Sequence, residues 1–353
     1  MNFHECKNIL IIRPDNMGDL LMSVPAIRAV KNTFDCRVTV LCSSQGLAVV
    51  NLIEEIDDAI CFDLPWLKFT SPGLFDVNDL SELIVKLKKR NFDGCILFNV
   101  YSQNPGASIL LAYLADIKLR AAYCRENLYG LLTHWFPDDE PLSTIRHQVE
   151  RDLNLVRFLG AQVVDDEMRI LTGEKSEELK LLKTYMLKSE EYIILHTGVS
   201  EEKRQYPKEY WRSIAEKISE NYQIPIILTG SRKDRIFTKG LSKEIGTGTI
   251  NLAGKTDLKA LAMIIKHAKC MISINTGPMH LAVALKTPLI ALYAQSNPQH
   301  KPFKTRHGVL EYSVPKQFKS TNQIICFVNE AYYEKFICYP SPEQVMVELH
   351  NLI

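Results

Sequence analysis

The chain has 353 residues, enough for two domains of ordinary size, and its 46% apolar and 24% charged residues leave little room for long disorder. A net charge of +1 recommends neither nucleic acid nor a strongly anionic surface as partner. The N-terminus lacks the basic, apolar and small-residue layout of a signal peptide, and no run nears the roughly 18 apolar residues of a membrane span, so a soluble protein is expected.

In chain order, residues 9–12 form a short apolar run, 13–18 a polar turn and 19–31 a helical pattern. Strand-like runs follow at 37–41, 59–63 and 94–99, separated by segments of helical period. Short continuous apolar strands alternating with amphipathic helices predict a parallel sheet covered on both faces. Residues 64–76, with Trp66, Phe69 and Phe75, read as an unusually apolar loop. A helix over 144–159 and a polar stretch near 171–178 mark a boundary. The rhythm then restarts, with strands at 192–196, 224–229, 271–275 and 289–293. The last helix, 341–353, opens on Ser-Pro-Glu, a helix-start signature. The expectation is an α/β chain with a first domain over 1–172, a second over 173–340, and a terminal helix over 341–353 that is free to pack back on the first.

Four strand-to-helix turns carry candidate chemistry, because ligands of open α/β sheets sit beyond the carboxyl ends of the strands. The first is Asn16-Met17-Gly18-Asp19. Gly18 lets backbone approach a ligand closely, and Asp19 is either a general base or a helix-start carboxylate favoured by the dipole. Its spacing is not the G-x-G-x-x-G of a dinucleotide site, which argues against an ordinary dehydrogenase. The second turn, Asn275-Thr276-Gly277-Pro278-Met279-His280, opens a helix whose free amides suit the diphosphate of a nucleotide-sugar. The alternative is a capped structural helix with His280 as a packing residue. The third, over 197–207, offers Lys203 and Arg204 to the same diphosphate, or is a solvated basic loop. The fourth, Gly230-Ser231-Arg232-Lys233-Asp234, places Asp234 where a carboxylate accepts hydrogen bonds from two ribose hydroxyls, or is an ordinary turn. Together the four outweigh any one of them, and the set reads as a sugar-transferring enzyme.

Nine cysteines, odd in number, without a C-x-x-C pair and mostly inside apolar runs, read as reduced thiols. Cys326 and Cys338 alone fall short of the four ligands usual for structural zinc. No Asp-x-Asp run occupies a donor loop, so the expectation is catalysis with no metal ligands and no required cofactor.

The series MGDLLMSVPAIRAVK, RHQVERDLNLVRFLG, KRQYPKEYW, LTGSRKD and NLAGKTDLKALAMIIKHAKCMISINTGPMHLAVALKTPLIALY resembles the heptosyltransferases of glycosyltransferase family 9. The resemblance runs in the family's order from about residue 8 to 295, and CYPSPEQVMVEL resembles the family's terminal helix. It implies a GT-B fold: two facing Rossmann-like domains with parallel sheets and an interdomain cleft, the acceptor on the first and the nucleotide-sugar on the second. The implied reaction is inverting transfer of heptose from ADP-heptose to the inner core of lipopolysaccharide or a related glycan. By motif position Asp19 is the implied base. Arg204, or its neighbour Lys203, is the phosphate-binding cation, and Asp234 the ribose-binding acid. Thr276, Gly277 and His280 form the donor-phosphate segment, with Gly18 and Asn275 counted among the donor residues. Arg120, in KLRAAY, is the basic position facing an acidic acceptor.

Two departures stand out. Asn275 occupies the place where most members carry an Asp facing the sugar, and Arg204-Gln205-Tyr206-Pro207 stands for Lys-x-Trp-Pro. The implied location is cytoplasmic, with peripheral contact on the cytoplasmic face of the inner membrane. Trp66, Phe69 and Phe75 beside Lys68, with Arg120 and Arg125, suit such an interface, unless the aromatics close the domain's core. The competing readings are a GT-B transferase with another nucleotide-sugar, a non-catalytic nucleotide-sugar-binding homologue, and an epimerase acting on the free nucleotide-sugar.

Overall fold

A computed structural model describes residues 2–67 and 76–353, and the chain divides into two compact units, Met1–Arg169 and Ile170–Ile353. Lys68, Phe69 and Phe75 of the apolar loop lie outside the described residues. The first unit contains β1 (Asn8–Arg13), α1 (Met17–Phe34), β2 (Arg37–Cys42), α2 (Ser44–Val50), β3 (Asp58–Cys61) and α3 (Val77–Lys89). It continues with β4 (Gly94–Leu97), α4 (Gly106–Leu114), β5 (Leu119–Cys124), β6 (His134–Pro137) and α5 (Gln148–Phe158). The second runs through α6 (Lys175–Thr184), β7 (Ile193–His196), α7 (Lys208–Tyr222), β8 (Ile226–Thr229), α8 (Arg235–Ile245) and β9 (Thr249–Asn251). It closes with α9 (Leu258–Lys266), β10 (Cys270–Ile274), α10 (Gly277–Ala284), β11 (Leu289–Ala294), β12 (His307–Tyr312), α11 (Gln323–Tyr332) and α12 (Pro342–Leu352).

Each unit holds one six-stranded sheet, ordered β3-β2-β1-β4-β5-β6 and β12-β11-β10-β7-β8-β9. Every pairing is parallel. Counted from its own first strand, each sheet has the same doubly wound order, and the winding reverses at β1/β4 and at β7/β10. Those two strand pairs are the switch points beyond whose carboxyl ends such sheets bind ligands. Their sequences explain their position. NILIIR, GCIL, IILH and CMISI have no polar face, and these strands are buried nearly end to end.

The helices beside the switch points are equally apolar. In α1 the run LLMSVPAI is wholly buried, and the helix packs against α2 and α5. Pro278 sits in the first turn of α10, where its missing N–H is harmless, and Met279 to Ala284 are buried. The second core gathers Trp211, Tyr206 and Tyr312 with Val345, Leu349 and Leu352 of α12. That helix packs on α7, β11 and β12, and its apolar stripe is part of the second unit's core. Trp66 was open to two readings, interface or core. Its indole N–H donates to Ser108 Oγ at 3.0 Å and its ring packs on the first core, so this aromatic closes the domain.

All nine cysteines are free, and five are buried. Burial pushes the thiols of Cys42, Cys95 and Cys270 up to about 12, which keeps them protonated and unreactive. No helix among the described residues is long and apolar enough to cross a membrane.

Candidate functional site

At the first switch point, β1 ends on Arg13, a fully buried guanidinium. It stands 3.3 Å from Asp19 Oδ1 and 3.6 Å from Asp15 Oδ2. Asp19 lies in the first turn of α1, which begins at Met17 instead of at Asp19 itself. The reason is a capping box: Asp19 Oδ2 accepts the Asn16 N–H at 3.1 Å, where a carboxylate also meets the positive end of the helix dipole. Gly18, one residue earlier in that turn, is buried beside it.

Further charged groups converge here. Asp15 accepts Gln103 Nε2 at 2.5 Å, while Asp152 of α5 accepts Ser23 Oγ at 2.6 Å and Gln148 Nε2 at 2.7 Å. Burial pushes both carboxyls up to about 6, against the opposing pull of Arg13. Arg151, also fully buried, donates to the Asn99 carbonyl at 2.9 Å and holds Asp138 at 2.8 Å and Glu140. Its guanidinium lies 4.0 Å from the centre of the Tyr123 ring.

The second switch point gathers the other predicted residues. Arg204 donates to the Asn275 carbonyl at 2.6 Å and pairs with Glu201 at 2.8 Å, and Lys203 pairs with the same Glu201 at 2.9 Å. Thr276 is the N-cap of α10, yet its hydroxyl goes to the Ile274 carbonyl at 3.3 Å and not to the first turn. A cation is therefore tied to the residue just before a helix N-terminus whose amides carry no side-chain cap, an arrangement suited to an anion. Gly277 is the first residue of α10, and His280 is buried, its ring edge-on to His300 at 6.4 Å.

On the neighbouring loop, Asp234 Oδ2 accepts the Ser231 N–H at 2.6 Å and the Ser231 hydroxyl at 2.7 Å. Two glycines make room for it: a Cβ on Gly198 would stand 2.7 Å from Asp234 Oδ2, and one on Gly230 2.9 Å from Asp234 Cβ. His196, at the end of β7, pairs with Thr229 Oγ1 at 2.9 Å, and burial holds its imidazole down to about 4, hence neutral near pH 7. The Thr197 hydroxyl beside it is buried without a protein partner.

Two predicted positions behave differently. Asn275 turns its side chain into a clamp between β10 and β11: Nδ2 donates to the Ala294 carbonyl at 3.1 Å and Ser296 Oγ at 3.2 Å, and Oδ1 accepts the Ala294 N–H at 3.1 Å. Arg120 is not brought to the ligand edge at all. It is the second residue of β5, and its guanidinium is spent on the carbonyls of Leu131 at 2.6 Å, Ile117 at 2.5 Å and Lys118 at 3.1 Å, near the strand's amino end. Arg125, just past the carboxyl end of β5, donates to the carbonyls of Tyr101 at 2.6 Å and Glu140 at 2.8 Å, so it, unlike Arg120, stands at that edge. Among the described residues no group of three or more His, Cys, Asp or Glu stands close enough to hold a metal ion.

The sequence profile of glycosyltransferase family 9 (heptosyltransferase) matches residues 81–326, the stretch that carries most of these turns. The chain belongs to glycosyltransferase family 9. It is 26% identical over 363 residues to lipopolysaccharide heptosyltransferase 2 of Salmonella typhimurium, covering 98% of each chain. Two solved structures share the fold. A glycosyl transferase family 9 protein from Veillonella parvula superposes with a TM-score of 0.78 at 19% identity, over 100% of this chain and 98% of that one. The E. coli ADP-heptose lps heptosyltransferase II does so with 0.72 at 20%, over 98% of both. The fold class is therefore GT-B, with two parallel-sheet α/β units, and the protein is a glycosyltransferase.

Within this family 9 chain, sequence reasoning overlooked Arg13, Asp15, Asp152 and Arg151 at the first edge and His196 and Thr197 at the second. For Arg13, Asp15 and His196 the available signal was a charged or titratable residue at the end of an apolar strand or directly after it, because a buried charge must be paired. The Asn275 clamp has a measurable consequence. Asn275→Asp replaces a donor by an acceptor facing the Ala294 carbonyl, so the second unit should lose about 1–3 kcal/mol of stability. Thermal unfolding followed by near-ultraviolet circular dichroism checks this; an unchanged midpoint would show that the clamp does not stabilise the fold.

Proposed function

We propose that this glycosyltransferase moves heptose from ADP-heptose to a lipopolysaccharide inner-core acceptor with inversion at the anomeric carbon, Asp19 acting as general base. The observation that carries the donor half is the second switch point, where Arg204, the α10 N-terminus and the glycine-framed Asp234 stand on adjoining loops. Arg204 and the α10 amides would hold the diphosphate, with Asp234 on the ribose hydroxyls. The Salmonella relative's name supplies the sugar acceptor class, and the E. coli structure's name the donor.

In the proposed step the acceptor oxygen attacks the anomeric carbon from the face opposite the diphosphate and its proton passes to Asp19. The bond from that carbon to the diphosphate oxygen breaks, and ADP leaves with the electron pair. The negative charge developing on ADP is met by the helix dipole and Arg204, which act on charge that grows in the transition state. Arg125 is the cation proposed for the acceptor side, in place of Arg120. The Asn275 clamp favours keeping a second donor in view: with that side chain used between strands, a different nucleotide-sugar is the alternative. A turnover screen of ADP-heptose, other ADP-sugars and GDP-sugars against core-oligosaccharide acceptors, read by mass spectrometry, decides. Product from a non-heptose donor alone would replace heptose in the proposal; no product from any donor, with nucleotide binding intact, would favour a non-catalytic homologue.

Contact with the inner membrane's cytoplasmic face remains part of the proposal for reaching a lipid-borne acceptor. Metal independence is a further part, and it gives a direct result. Chelation with EDTA should leave at least about half the activity, because dipole and guanidinium supply the charge stabilisation. Full loss that magnesium or manganese restores would defeat it.

A further inference from the structure

Asp19 is held on both oxygens, one of them by a residue that the proposed reaction does not use. Arg13 ends β1 wholly buried, its NH2 3.3 Å from Asp19 Oδ1, while the backbone N–H of Asn16 takes Oδ2. Burying a guanidinium is expensive unless carboxylates surround it. Three do: Asp15, Asp19 and Asp152. Burial by itself would lower the pKa of Arg13, and Asp15, Asp152 and Asp19 together more than offset it, so the charge is retained.

The three carboxylates are not equivalent partners. The oxygens of Asp152 are engaged by Ser23 and Gln148, and Asp15 is held by Gln103 with Arg13 farther off, at 3.6 Å. Among the described residues the guanidinium donates its hydrogen bond to Asp19. The Nε and NH1 atoms of Arg13 are buried without a protein acceptor, so the guanidinium is placed by its position at the strand end and not by saturating its own donors. A cation fixed in that way behind one oxygen sets the direction in which the carboxylate points.

We infer that Arg13 is a positioning residue for transfer, aiming Asp19 at the acceptor hydroxyl and setting a fixed positive charge against its Oδ1; this rests on the reading of Asp19 as base. The charged groups against Asp19 are Arg13 from β1 and Asp15 from the following turn, and Asp152 and Arg151 of α5 act on Arg13 in turn. A structural role alone predicts lower stability with an unmoved pH profile. A positioning role predicts more.

The test compares pH profiles of kcat, and KM for donor, in Arg13→Gln and Arg13→Lys of the whole enzyme. Arg13→Gln removes the charge, so the acid limb of kcat should move up by about one pH unit or more. Its kcat at the plateau should fall at least about tenfold with donor KM within about twofold, since the interaction lost is not a donor contact. Arg13→Lys keeps the charge and loses the planar geometry, so kcat falls with the limb in place. An acid limb unmoved in Arg13→Gln overturns the inference, and should that variant not fold, a wild-type kcat in Arg13→Lys overturns it instead. A limb that vanishes in Asp15→Asn also overturns it, because the titrating group would then be Asp15. Failure of the base reading looks different: Asp19→Asn would itself remain active.

Discussion

Replacing Asp19 by Asn should lower turnover at least about 100-fold while leaving nucleotide affinity within about twofold. Asn keeps the shape and can still accept the Asn16 N–H, so the first turn of α1 stays capped. What it loses is the capacity to take a proton. A general base acts only as the acceptor hydroxyl attacks, so the loss falls on kcat and spares binding. Some loss of stability accompanies it, because Arg13 forfeits its hydrogen-bonded carboxylate and retains Asp15 at 3.6 Å and the charge of Asp152. Steady-state kinetics beside nucleotide titration calorimetry separates the two effects. More than about half of the wild-type rate in Asp19→Asn would remove Asp19 from the role of base.

The largest effect on stability is expected at Arg151→Met. Arg151 is the buried hub between Asp138, Glu140, the Asn99 carbonyl and the Tyr123 ring, and the side chains of Asp138 and Glu140 are only 2% and 0% exposed. Methionine fills much of the volume, takes the guanidinium from Asp138 and leaves Glu140 with Arg146 at 3.7 Å. Breaking a buried ion pair by removing one partner costs about 3–5 kcal/mol. For a unit of this size that corresponds to a fall in unfolding temperature of roughly 6–20 °C. Differential scanning calorimetry measures it, and a shift smaller than about 2 °C would mean that the carboxylates are compensated by other groups. The expected loss lies in the first unit, so on the proposed assignment of the nucleotide to the second unit, nucleotide binding should survive at temperatures where turnover fails.

Several parts of this protein were legible in the chain without coordinates. The strands at both switch points are short and apolar on both faces, a local pattern, and the turns after β1, β7, β8 and β10 follow directly from where those runs stop. Asp19, Arg204, Asp234 and Thr276 were therefore found as strand-end residues before any fold was known. Strands with a wet face escaped the same rule. Among the strands overlooked, β6, β9 and β12 are the edges of their sheets, with partly exposed residues along them, and an edge strand need not be a continuous apolar run. In β5 two alanines and Arg120 dilute an otherwise buried strand.

Only the tertiary structure decided what each charge faces. Arg120 and Arg125 differ by five positions, yet the register of β5 on β4 sends one to the amino end and leaves the other at the ligand edge. Ser23 and Asp152 lie 129 residues apart and meet because α1 and α5 pack together. Asn275 serves as a clamp because β10 and β11 run parallel and bring the Ala294 backbone to its amide. Local pattern determines which residues form an element and where it ends, since backbone preference and apolar period act over a few residues. Which buried charges become partners depends on strand order and helix packing, because the penalty for an unpaired charge is settled by neighbours that the chain supplies from far away.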